Sequence, residues 1–131
     1  MTNLPITEKL ILLKYALQAL AQSAEIQNKL FPDFVCIADE LALDFDNAYQ
    51  AVKNDLGNTL NEEQTKLLDE IDSILDQNSG DINAQHWTIE ALASDIMWIR
   101  LRIRALATLD SFNWPNIPPP SDFYKFVRAK L

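Results

Sequence analysis

Between positions 34 and 56 the apolar residues Phe34, Ala38, Leu41, Phe45, Ala48, Val52 and Leu56 follow one another in steps of three or four without a break. That spacing matches the turn of an α-helix and lays all of them along one face, where a strand would need strict alternation. A long helix with one apolar face is stable only when other helices or a sheet cover it. The chain is poorly equipped to build a sheet: in 131 residues it has two glycines, Gly57 and Gly80. Tight β-turns and phosphate-cradling loops normally draw on more.

Other segments repeat the pattern. Over about 6–30, Leu10, Leu13, Leu17, Leu20 and Ala24 share a face, and Thr7 is placed to cap the start. Phe31-Pro32-Asp33 interrupts this run, because the residue before a proline avoids the helical region while proline fits a first turn; the second helix is predicted to start there and to stop at Gly57. A third helix is predicted from the capping sequence Asn61-Glu62-Glu63-Gln64, with Thr59 to Glu62 as an alternative register. Its core face is Leu67, Leu68, Ile71, Ile74 and Leu75, and Asn78-Ser79-Gly80-Asp81 ends it.

A fourth helix is predicted to begin near Asn83 or at Thr88, where Trp87 and Leu92 could staple a threonine cap. Its main stripe is Ile89, Leu92, Ile96, Ile99, Ile103 and Leu106, with Ala91, Trp98, Leu101, Ala105 and Leu109 nearly opposite, so both faces are expected to be covered. The proline-rich stretch 113–120 should run extended and fold back across the second of these faces, anchored by Trp114. Ser121 is placed to cap a short last helix bearing Phe123, Phe126 and Val127. The expected fold is therefore all-α, an antiparallel four-helix bundle with an extended proline-rich segment and a short terminal helix, in one domain spanning 1–131.

Hydrophobic residues form 48% and charged residues 23% of the chain, which is the balance of a globular domain rather than a disordered one. The formal charge is −8, so nucleic acid and anionic lipid should be repelled and a basic protein attracted, although net charge also serves solubility. No uncharged run has the roughly 20 residues a membrane span needs. The only cysteine, Cys36, permits no intrachain disulfide, which suits a cytoplasmic setting, and its expected place is the core.

No catalytic or cofactor constellation emerges. His86 is the only histidine and lacks the Glu three residues before it that a di-iron bundle uses. Histidine phosphotransfer domains resemble one another in a mid-helix His followed by Lys and Gly, whereas Trp87-Thr88-Ile89-Glu90 follows here. A calcium loop starting at Asp76 fails, because Gly80 is misplaced and Trp87 stands where the bidentate Glu belongs. Cys36 has no base or orienting residue linked to it by any motif.

Two groups of charges remain. Asp39, Glu40, Asp44 and Asp46 on the second helix and Asp69, Asp72 and Asp76 on the third form an acidic surface whose like charges repel unless something cationic faces them. They are the candidate partner-binding residues; a solvated face is the alternative. Arg100, Arg102 and Arg104 have no acid three or four residues away and should either cross to those acidic faces or hold an anion. The expectation is a binding protein rather than an enzyme: an acidic module that acts as a stoichiometric inhibitor of a basic protein, in the physical manner of immunity proteins and antitoxins, needing no cofactor. The alternatives are a homodimeric structural or adaptor protein and a metal-dependent phosphohydrolase with carboxylates on the second and third helices.

Overall fold

The computed structural model describes residues 6–32, 35–56, 60–120 and 123. All regular secondary structure among these residues is helical, with no strand. The elements are α1 (Ile6–Ala21), α2 (Ala24–Gln27), α3 (Ile37–Leu56), α4 (Glu62–Gln77), a 3-10 segment (Asp81–Trp87), α5 (Ala91–Ser94) and α6 (Ile96–Ser111). Phe34, the stop at Gly57, the alternative cap at Thr59, and Ser121, Phe126 and Val127 of the last helix lie outside the described residues.

The first predicted helix is divided. Ser23 takes extended angles and its hydroxyl accepts the Ile26 amide, restarting the chain as α2. The last carbonyls of α1 would be orphaned by that break. The amide of buried Gln27 donates to the Ala19 and Leu20 carbonyls at 3.0 and 3.3 Å, and the Arg102 Nε donates to Gln22 O at 2.7 Å. At the start of α4 the capping box forms in full: Asn61 Oδ1 accepts the Gln64 amide at 2.7 Å and Gln64 Oε1 accepts the Asn61 amide at 3.1 Å. The Gln64 side-chain amide also donates to Ser111 O, joining the start of α4 to the end of α6.

The long helices pack in the order α3, α1, α6, α4. Leu13, Leu17 and Leu20 of α1, Leu41, Phe45 and Val52 of α3, Leu68 and Ile71 of α4, and Trp98 and Leu101 of α6 are fully buried between them. At roughly 1.5–3 kcal/mol for each large apolar side chain removed from water, this cluster is the main stabilising term. The remaining neighbours, α3 and α4, meet only sparsely, and the space they leave is the cleft described below.

The predicted fourth helix differs most. The Thr88 hydroxyl accepts the Ala91 amide at 3.1 Å, but it stands three residues before Ala91, where the helix begins, and only the short α5 follows. Asp95, with ψ 134°, breaks the helix and caps α6 anew by accepting the Met97 amide. The break resets the helical phase, so Leu92 and Ile96 no longer share a face. Met97, Trp98, Leu101, Ala105 and Leu109 point inward, while Ile96, Ile99, Ile103 and Leu106 face solvent. One side of α6 is covered, not both.

After α6 the chain turns through a Schellman motif. Asn113 is left-handed at φ 58°, the Trp114 amide donates to Leu109 O and the Asn113 amide to Asp110 O. The proline-rich stretch then runs along α1, where Gln18 donates to Pro115 O and Gln22 to Asn116 Oδ1. Trp114 stacks on Phe112 at 4.2 Å and borders Leu10, Ile11 and Lys14. The stretch covers α1 rather than α6, because the turn at Asn113 carries it to that side.

Candidate functional site

Three elements each contribute one stripe to a cavity of about 690 Å³. From α3 come Asp39, Ala42, Leu43 and Asp46, and from α4 come Asp72, Leu75 and Asp76, followed by Ser79. Both sets follow the i, i+3, i+4, i+7 pattern of a single helical face. The 3-10 segment adds Asp81, Ala84 and Trp87, spaced by three as its three-residue turn requires. Each stripe mixes carboxylates with apolar side chains, giving a cleft with acidic edges and a partly apolar lining.

Gly80 permits the sharp approach of the 3-10 segment to α4. Its φ of 92° and ψ of 162° lie in a region essentially reserved for glycine. Trp87 is fixed from several sides: its indole N–H donates to Asn78 O at 2.7 Å, its ring meets that of Trp98 edge-on at 5.6 Å, and its carbonyl accepts the Cys36 thiol. Cys36 is thus exposed beside the cleft's tryptophan rather than buried in the core. The Trp98 indole donates to His86 O at 2.6 Å, and His86 Nδ1 lies 2.7 Å from Asp95 Oδ2. The aromatic wall is therefore tied to the break that starts α6.

The electrostatics connect the two sides. Burial raises the pKa of Asp72, and Asp46 across the cleft raises it further, as do Asp76 and Asp69, against the opposing influence of Lys53. Tyr49 of α3 donates its hydroxyl to Asp69 of α4 just beyond the cleft; burial first, and then this hydrogen bond, push the phenol's pKa upward. A cation seated between Asp46 and Asp72 would relieve their repulsion, and the face of Trp87 could add a cation–π contact.

Of the acids singled out from sequence, Asp39, Asp46, Asp72 and Asp76 line the cleft. Asp69 sits beside it, and Glu40 is half-buried away from it. Asp44 is completely buried, and burial pushes its carboxyl up to about 7 from an ordinary 3.8, so it is no part of a partner surface. Its position was legible: it lies three residues after Leu41 and four before Ala48, on the inward flank of the α3 stripe. Asp81, Leu43 and Trp87 belong to the cleft without having been selected, and the three-residue spacing of Asp81, Ala84 and Trp87 was the available signal.

The arginines separate. Arg104 pairs with Glu70 of α4 at 2.7 Å. Arg102 donates to two main-chain carbonyls, Gln22 O and Leu92 O, and burial lowers its pKa. Arg100 is exposed. The three do not converge on an anion site. Among the described residues no three His, Cys, Asp or Glu side chains are grouped to hold a metal ion, and no helix is long and apolar enough to cross a membrane.

No protein-family model, curated protein or solved structure matches the chain.

Proposed function

We propose that this protein is a binding module that seats a basic, amphipathic helix of another protein in the cleft between α3, α4 and the 3-10 segment, and so acts as a stoichiometric inhibitor or sequestering partner. The observation that carries this reading is the pairing of five aspartates, Asp39, Asp46, Asp72, Asp76 and Asp81, with Leu43, Leu75 and Trp87 in one cavity. Carboxylates alone would suit any cation. The apolar residues among them favour a ligand that buries hydrocarbon as well as charge, as a helix bearing Lys or Arg beside Leu does. In this reading the long helices form a four-helix bundle opened along α3 and α4, and the opening is the groove. The single cysteine fits a cytoplasmic setting.

The test uses a fluorescently labelled synthetic helix with Lys and Leu at helical spacing, an otherwise identical helix with Glu in place of Lys, and spermine as a purely charged probe. The Lys helix should bind with an association rate that falls as salt rises, and D46N/D72N should slow association. Spermine should compete poorly. Equal binding of the Glu helix, or undiminished binding by D46N/D72N, would refute the assignment.

A further inference from the structure

The stretch from Trp114 to Pro120 has neither helix nor strand, yet its sequence fixes its shape. Pro115, Pro118, Pro119 and Pro120 hold φ at about −65°, and Trp114, Ile117, Pro118 and Pro119 each stand before a proline and are driven into extended geometry. Those angles are polyproline II, which turns every three residues, so positions three apart share a face. Asn116 and Pro119 form the inward face: the Asn116 side chain accepts the Gln22 amide at 3.1 Å, and Pro119 is buried. Pro115 and Pro118 make up the second face, and Ile117 and Pro120 belong to the third; all four are exposed, Ile117 at 54%. The fold therefore grips one edge of the segment and presents the other two.

The chemistry of those two faces decides what fits them. Gln18 holds the Pro115 carbonyl and the Phe123 amide holds that of Pro120, while among the described residues the carbonyls of Asn116, Ile117, Pro118 and Pro119 accept no hydrogen bond. Pairing with a strand of another protein would also need N–H donors, and the prolines at 115, 118, 119 and 120 have none. Residues 111–120 carry no charge, so a charged surface finds nothing to pair with. A groove lined by aromatic rings meets every condition: the rings pack against prolines and Ile117, and their N–H or O–H groups reach outward carbonyls. Because the segment is already extended and tied to α1, little conformational freedom is lost when such a groove closes on it.

We infer that residues 115–120 are a preformed docking ligand for the aromatic-lined polyproline II groove of another protein, which reads Pro115, Ile117, Pro118 and Pro120 while α1 holds Asn116 and Pro119. This inference is independent of the function proposed for the cleft. The isotope-labelled full chain should be titrated, under nuclear magnetic resonance, with a panel of purified domains that read polyproline II ligands, WW domains included. At least one should bind with a Kd below about 1 mM, shift the resonances of Ile117 and its neighbours, and depend little on salt. I117S and P118A should each weaken that binding by roughly tenfold or more while keeping the wild-type circular dichroism. N116A, on the inward face, and D46N/D72N, in the cleft, should bind as the wild type does. A panel in which nothing binds overturns the inference, as do I117S and P118A variants that bind undiminished. Equal loss in N116A would show that the inward edge is not the one turned away from the partner, and loss in D46N/D72N would move the contact to the cleft; either result also overturns it.

Discussion

Asp95 serves two elements at once: Oδ1 accepts the Met97 amide at 2.8 Å and begins α6, while Oδ2 holds His86 Nδ1 at 2.7 Å and fixes the end of the 3-10 segment. The residue that interrupts the helix thereby also positions the wall of the cleft, since Trp87 follows His86 directly.

D95A should therefore destabilise the protein by about 1–3 kcal/mol, from loss of a helix cap and of a charged hydrogen bond. Burial pushes the Asp95 carboxyl up, but the hydrogen bonds from His86 and the Met97 amide outweigh it and hold the pKa below the ordinary value. Its stabilisation is thus full above the ordinary carboxylate range and is lost as pH falls through the depressed value. Urea unfolding of D95A and wild type should differ near neutrality and converge in acid.

Asp44 should act in the opposite direction. Its folded pKa of about 7 lies above the ordinary 3.8, so the native state binds more protons than the unfolded chain between those values and stability falls as pH rises through that window. The loss should reach at most about 4 kcal/mol and level off above about pH 7. D44N should abolish this part of the pH profile in denaturant titrations and be more stable than the wild type at neutral pH.

The arginines should rank by what they touch. R102A leaves the Gln22 and Leu92 carbonyls without their donor and should cost about 1–3 kcal/mol. R102K should recover only part of that, since an ammonium cannot reproduce the directed Nε and Nη2 donors. R104A should cost less, because its pair with Glu70 is partly exposed, and R100A should be nearly neutral because Arg100 is exposed. Melting temperatures in the order R102A, R104A, R100A, lowest first, are expected.

The cleft should trade stability for binding. Asp72 and Asp76 are like charges one turn apart on α4, and D76N should relieve repulsion of about 0.2–0.5 kcal/mol while weakening capture of a Lys-bearing helix. Calorimetry and binding titration on the same variant should move in opposite directions. A D76N protein that binds equally well would show that this wall is merely solvated.

The sequence by itself determined the local structure. The α3 stripe from Ala38 to Val52, the Asn61–Gln64 box and the Thr88 hydroxyl contact depend on residues within a turn or two of one another, and these appear as their spacing requires, although α3 starts at Ile37 rather than at Pro32. Tertiary structure decided what those helices face. A single extended residue, Asp95, reset the phase of α6 against the segment before it and left one of the two apolar faces in solvent, which periodicity counted through the break could not reveal. Asp44 and Asp46 are two residues apart: the place of Asp44 on the flank of the α3 stripe already turns it toward the core, but only the approach of α4 and the 3-10 segment makes the outward Asp46 part of a cleft. Arg102 likewise found main-chain carbonyls in place of the expected carboxylates, because the ends of α1 and α5 come together there in space although they are far apart in the chain.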